Sequence, residues 1–252
     1  MVIIFDLNGT LLDTRSIAPA IRKVFGKKIT AEQWLHTVLH YSAAMSVTGD
    51  FCPFEQLAAG VLAMEADAHN IKLKTSDVER VQTALRTMPP YKEVARALKT
   101  LRTAGFRLAV LTNSCSAVMR QQLAHSGLGD YFDHAISVED VHMYKPSLKT
   151  YNFAATSAGV HPQEMLMVAA HSWDLIGASR AGCQTAFIRR PGKAPFPGFP
   201  VPTYTARDLS EFASELTGAT RSVPKLALIA AGAAAIAAGA FVGVKRLPCQ
   251  PS

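Results

Sequence analysis

The first residue in this sequence suited to covalent chemistry is an aspartate that ends a short apolar run. Val2-Ile3-Ile4-Phe5 stops at Asp6-Leu7-Asn8-Gly9-Thr10-Leu11-Leu12-Asp13. Ligands of parallel α/β sheets bind beyond the carboxyl ends of the strands, so a carboxylate there, followed by a glycine turn, is placed to act as a nucleophile. Three more apolar runs end in reactive residues: Leu111-Thr112-Asn113-Ser114, the Lys145-Pro146 loop, and Ala170-His171-Ser172-Trp173-Asp174. Each has an ordinary use as well. Ser114 and Asp174 suit helix caps, Lys145 a solvated loop, and His171 a hydrogen-bonded histidine near the surface. Strand ends of one parallel sheet lie side by side, however, and all four sets would then face one crevice.

The elements that must hold these residues follow from periodicity. After Asp13, Ile17, Ile21, Val24 and Phe25 recur at helical spacing. Thr30 caps a second helix whose apolar face is Ala31, Trp34, Leu35, Val38 and Leu39, with Glu32-Gln33 in its first turn. Residues 54–64 and 78–85 also read as helices, so residues 14–88 form an all-helical insert. Met88-Pro89-Pro90 marks its end, because two prolines cannot continue a helix. Helices and strands then alternate: helix 91–104, strand 107–112, helix 116–125, strand 134–138, helix 147–158, strand 165–170, helix 175–181, strand 185–188. Val/Leu/Ile/Ala runs alternating with helices predict a parallel sheet covered on both faces. Residues 191–203 are too proline-rich for a regular element, and a helix over 209–216 closes the domain. The expected fold is a doubly wound, Rossmann-like α/β core made of residues 1–13 and 89–217, with a helical cap over 14–88.

Composition bounds the remaining possibilities. With 252 residues, 49% hydrophobic and 18% charged, the chain can bury a sizeable core. Its net charge of +7 attracts anions in general. No aromatic-interleaved basic run or zinc-finger spacing points to nucleic acid. Cys52, Cys115, Cys183 and Cys249 form no CxxC pair, which indicates neither a zinc site nor a disulfide framework. The N-terminal run is too short for a signal peptide and is interrupted by Asp6.

After a linker at 218–223, Leu226 to Val244 is unbroken apolar sequence between Lys225 and Lys245-Arg246. As a helix of ~1.5 Å per residue it would reach about 28 Å, close to a bilayer core of ~30 Å. A C-terminal hydrophobic helix over 224–246, crossing the membrane once and leaving the catalytic domain in the cytoplasm, is therefore expected. Its small residues Ala231, Gly232, Ala235 and Gly239 would suit association into a homodimer.

In order and spacing, the four reactive stretches resemble the four motifs of the haloacid dehalogenase superfamily. Tyr144-Lys145-Pro146, Tyr151 and Trp173-Asp174-Leu175-Ile176-Gly177-Ala178 resemble its L-2-haloacid dehalogenase (type II) branch. The resemblance implies Asp6, Lys145 and Asp174 as catalytic residues, with Thr10, Asn8, Ser114, Asn113, Tyr151 and His171 around a small anionic substrate. Phosphatases of the superfamily place an acid two residues after the nucleophile to protonate an alkoxide. Here that residue is Asn8, and a departing halide needs no proton. They also bind Mg²⁺ through fourth-motif carboxylates, whose extra position holds Ala169 or Ala170.

The implied reaction thus needs no cofactor. Asp6 displaces halide from C2 of a 2-haloalkanoate, Lys145 keeps Asp6 ionised, and water activated by Asp174 with His171 nearby hydrolyses the aspartyl ester to a 2-hydroxy acid. Two departures stand out: Leu35 and His36 follow Trp34 where the branch carries an arginine for the leaving halide, and Ala169 and His171 replace a Ser and an Asn. The alternatives are a Mg²⁺-dependent phosphatase holding its ion with Asp6, Asn8 and Asp174, and a membrane-tethered protein of this fold without turnover.

Overall fold

A computed structural model describes residues 1–197 and 201–222. Its centre is a six-stranded sheet, parallel throughout, made of β1 (Val2–Phe5), β2 (Arg107–Thr112), β3 (His134–Ser137), β4 (Met165–Ala169), β5 (Gln184–Ile188) and β6 (Tyr204–Ala206). Alternate residues of a strand point to opposite faces, yet every residue of β1 and β4 is buried. Both faces of the sheet are therefore covered, which is why these strands read as unbroken apolar runs.

The spatial order β3-β2-β1-β4-β5-β6 reverses direction between β1 and β4. Ligand crevices form at such switch points, outside the carboxyl ends of the strands. Phe5 is in register with Val110 on one side and Val168 on the other, so the residues following β1, β2 and β4 emerge together.

Between β1 and β2 run α1 (Ala18–Phe25), α2 (Ala31–Thr48), α3 (Phe54–Ala68), α4 (Thr75–Arg86) and α5 (Val94–Thr103). The cap expected at Thr30 is formed and is part of a capping box, with the Gln33 amide donating to Thr30 Oγ1 at 3.1 Å and the Thr30 amide donating to Gln33 Oε1 at 2.8 Å. The helices α1 to α4 pack on one another through Ile21, Trp34, Val38, Val61, Leu62 and Val81, all buried. The chain leaves and rejoins the sheet region at one place: the Asp13 amide donates to the Pro89 carbonyl (2.8 Å) and the Tyr91 amide to the Leu11 carbonyl (3.0 Å). Downstream follow α6 (Ser116–Ser126), α7 (Leu148–Ser157), α8 (Ser172–Arg180) and α9 (Leu209–Ser222).

Several boundaries differ from expectation. The helix after the paired prolines starts at Val94 instead of residue 91, because Tyr91 still pairs with Leu11. α8 begins at Ser172, with His171 in the cap position, so Asp174 lies inside its first turn and not at the cap. Ser114 is not a cap either, since Cys115 precedes α6. β6 was not anticipated: its three residues sit on the edge of the sheet beside β5, too short to show a pattern. The expected linker over 218–223 is mostly helix, since α9 runs on to Ser222. The hydrophobic helix expected over 224–246 lies outside the described residues. Among the described residues no helix is long and apolar enough to cross a membrane.

Candidate functional site

Beyond β1, the turn that carries Asp6 is closed by Gly9, whose φ of +82° is costly for any residue with a Cβ. A Cβ there would also lie 2.9 Å from His171 Cε1, so glycine is what lets the histidine approach. Asp6 is buried and its two oxygens are fully engaged. Oδ1 accepts from Lys145 Nζ at 2.7 Å, and Oδ2 accepts from Thr10 Oγ1 at 2.6 Å, with His171 Nδ1 at 3.0 Å. Thr10 Oγ1 in turn accepts from the Ala170 amide at 2.9 Å, tying the loop after β1 to the end of β4.

Lys145 Nζ is shared between two carboxylates, lying 2.7 Å from Asp174 Oδ2 as well, and donates to the Leu111 carbonyl at 3.2 Å. The Lys145–Pro146 peptide is cis. Its loop is held by the Lys145 amide donating to Asn113 Oδ1 (3.0 Å) and by the absence of a side chain at Gly177, where a Cβ would lie 2.5 Å from the Pro146 carbonyl oxygen. Asp174 is wholly buried, and its other oxygen accepts from the Tyr151 hydroxyl at 2.6 Å.

Burial raises the carboxyl of Asp6, but the Lys145 ammonium and the His171 contact outweigh it and hold the group well below the usual carboxylate range. Asp174 moves the other way. Its burial and the neighbouring Asp6 charge overcome the attraction of Lys145, and its carboxyl is raised. Burial disfavours the charged form of Lys145, yet Asp174 and Asp6 together raise it above an ordinary lysine. The Tyr151 hydroxyl is pushed far up by burial and by Asp174 and remains a donor. Asp6 is thus an ionised carboxylate at neutral pH, aimed by three donors, next to a permanent cation.

A cavity of about 460 Å³ opens over Asp6. Of the residues singled out in the sequence, Asp6, Asn8, Asn113, Lys145 and His171 line it, whereas Thr10, Ser114, Tyr151 and Asp174 do not. Thr10 serves Asp6. Ser114 Oγ accepts from Asn8 Nδ2 at 3.0 Å, and Tyr151 serves Asp174. Asn8 Oδ1 and Asn113 Nδ2, both in cavity-lining residues, have no protein partner. A neighbouring space of about 780 Å³ lies between α2 and the 192–197 loop and shares His36, His171 and Trp173 with the first.

The sequence reading quoted Thr112 and Trp173 without giving them a role and did not single out Arg190. Thr112 and Trp173 line the cavity from the end of β2 and the start of α8. Arg190 lies just beyond β5, almost fully buried. Its Nε donates to the Thr10 carbonyl at 3.0 Å, its Nη1 pairs with Glu93 at 2.5 Å, and its guanidinium stacks 3.8 Å over Tyr91. The signal was the strand-end rule used for the other four stretches, which applied to β5 selects Arg189-Arg190.

The residues that would hold Mg²⁺ do not suit it. The ammonium of Lys145 stands between the Asp6 and Asp174 oxygens that an ion would bridge. Mg²⁺ requires six oxygens at ~2.0–2.1 Å. Among the described residues no group of three or more His, Cys, Asp or Glu side chains is arranged to hold a metal.

A family profile described as haloacid dehalogenase-like hydrolase matches residues 3–188. The chain is 30% identical over 217 residues to an (S)-2-haloacid dehalogenase of Pseudomonas putida, which covers 85% of this chain and 95% of that one. It is also 30% identical over 212 residues to haloacetate dehalogenase H-2 of Moraxella sp. (strain B), covering 81% and 94%. Among solved structures, a dehalogenase with an intermediate complex superposes with a TM-score of 0.78 at 28% identity, covering 85% of this chain and 96% of that one. The L-2-haloacid dehalogenase of Xanthobacter autotrophicus with chloropropionic acid covalently bound shares the fold, with a TM-score of 0.79 at 23% identity over 86% and 99%.

Proposed function

Since the chain belongs to the haloacid dehalogenase-like hydrolases, we propose that it is a hydrolase of carbon–halide bonds, converting a 2-haloalkanoic acid to a 2-hydroxy acid through an ester on Asp6. One observation carries the reading: the Asp6 carboxylate faces the cavity while paired with a buried lysine, with no acid at position 8 and no room for Mg²⁺ between the carboxylates. An ionised carboxylate attacks C2 from behind, and halide leaves with the electron pair, needing no proton. The unpartnered Nδ2 of Asn113 is a donor for the substrate carboxylate or the departing halide.

For the second step we infer His171 as the general base in place of Asp174. Asp174 is fully buried, has both oxygens bonded to Lys145 and Tyr151, and does not line the cavity. His171 does line it and touches Asp6. Water gives its proton to His171 and its oxygen to the ester carbonyl carbon. Collapse of the tetrahedral intermediate expels the alkoxide, which takes the proton back from His171, and the second proton of the water, left on the Asp6 carboxyl, passes through His171 to solvent and restores the carboxylate. In this reading residues 14–88 act as a cap that walls the site, Lys145 and Thr10 position Asp6, and Tyr151 positions Asp174.

The test is intact-protein mass spectrometry after mixing with 2-chloropropionate. His171→Asn should accumulate a 1-carboxyethyl ester adduct on Asp6, and Asp6→Asn should show none and no turnover. Halide release without any adduct in either variant refutes the covalent route. Residues 224–246 are proposed to tether this domain, on the cytoplasmic side, to a membrane. The full chain should then resist carbonate extraction, whereas a chain truncated after Gly218 should be extracted and equally active. Extraction of both removes the anchor from the proposal.

A further inference from the structure

The volume and polarity of the cavity carry an inference about which haloacid is used, and it rests on the dehalogenase reading above. Spaces of ~300–1,000 Å³ accommodate ligands of drug size, and at about 460 Å³ this one would be left mostly empty by a three-carbon acid. Its polar lining includes Asp6, Asn113, Lys145 and His171 near the strand ends, and Arg15, Glu32, His36 and Lys193 elsewhere. The remaining wall comes from the helical segment and its return to the sheet: Leu35 and Leu39 of α2, Phe54 of α3, Leu85 of α4, then Met88 and Tyr91. Phe54, Leu85 and Met88 of that wall are themselves buried, so it is firmly packed. Leu35 and Leu39 are the partly exposed apolar residues that α2 adds to this wall.

We propose that the preferred substrates are medium-chain 2-haloalkanoates, with C2 at Asp6, the carboxylate near Asn113, and the alkyl chain laid against Leu35, Leu39, Leu85 and Met88. An apolar wall facing water gains nothing from a short acid. Each chain methylene it removes from water contributes about fourfold to binding.

The experiment is a chain-length series on the full protein: halide release from 2-bromopropionate, 2-bromobutyrate, 2-bromohexanoate and 2-bromooctanoate, with calorimetric Kd values for the corresponding unhalogenated acids. The proposal expects kcat/KM to rise by at least tenfold from bromopropionate to bromohexanoate. The Kd of the unhalogenated acids should tighten by about fourfold per methylene over the same range. Leu35→Arg, at a partly exposed position, should lower the ratio of hexanoate to propionate kcat/KM by at least tenfold. A kcat/KM that is flat or falls with length, with unchanged Kd values, overturns the proposal and leaves the dehalogenase reading intact. Absence of halide release from every substrate while Kd still tightens with length refutes the dehalogenase reading and supports the medium-chain acid site. Should Leu35→Arg fail to fold, the two wild-type series decide.

Discussion

Replacing Lys145 with methionine keeps the length of the side chain and removes the one cation between two buried carboxylates, each 2.7 Å from it. Breaking a buried ion pair by deleting one partner costs about 3–5 kcal/mol. Against a typical domain stability of ~5–15 kcal/mol, the variant should fold but melt well below the wild type. The site can relieve the strain by binding a proton, most readily on Asp174, whose carboxyl burial and the Asp6 charge already raise against the opposing pull of Lys145 and the Tyr151 hydrogen bond.

An acid whose folded pKa lies above its unfolded value of ~3.9 binds more protons when folded, so stability falls as pH rises through that interval. In the wild type, the Lys145 contribution is fully present below ~10.4 and is lost only as pH rises through its higher folded value. Asp6, held low, contributes above ~3.9 and loses that contribution only in stronger acid. Lys145→Met should therefore show a steeper loss of stability than wild type as pH rises from ~3.9 through the neutral range, by ~1.36 kcal/mol for each unit of added shift. Urea unfolding followed by circular dichroism measures it, with halide release as the second readout, expected to fall by more than about a hundredfold. Lys145→Met/Asp174→Asn should regain part of the stability and remain inactive. A midpoint difference from wild type that is small and constant across this pH range refutes the charged arrangement.

Two further outcomes follow from the same geometry. Tyr151→Phe removes a hydrogen bond to a carboxylate and should cost about 1.5–3 kcal/mol in urea unfolding and lower kcat, with KM changed by less than about twofold, because Tyr151 does not line the cavity. A raised KM at unchanged stability would place the hydroxyl on substrate instead. Arg190→Gln strands Glu93 and frees the Thr10 carbonyl, so Tm and kcat should both fall, while Arg190→Lys should recover part of the Tm through Glu93 and less of kcat, since lysine cannot hold both partners in the same fork. Equal kcat in all three proteins would leave Arg190 a packing residue.

The sequence by itself determined five of the six strands, because a strand buried on both faces must be apolar at every position, and β1 and β4 show that directly. It also pointed to Asp6, through the glycine turn and the missing acid at Asn8, as the nucleophile proposed above. The roles of the surrounding residues were decided only by the tertiary structure. Lys145 is 139 residues from Asp6, and whether its ammonium is solvated or locked between two carboxylates depends on sheet order and on the fit of Gly177 under Pro146. Tyr151 and Ser114 belong to motifs that suggested substrate contact, yet packing turns one to Asp174 and the other to Asn8. Arg190 was hidden because a proline-rich stretch follows it, and local sequence reports that the chain turns there without reporting what the arginine meets. Periodicity is a property of neighbours along the chain, whereas a cavity is made by residues brought together from β1, α2, α4 and α8. Its size and its apolar wall therefore exist only once those elements are packed.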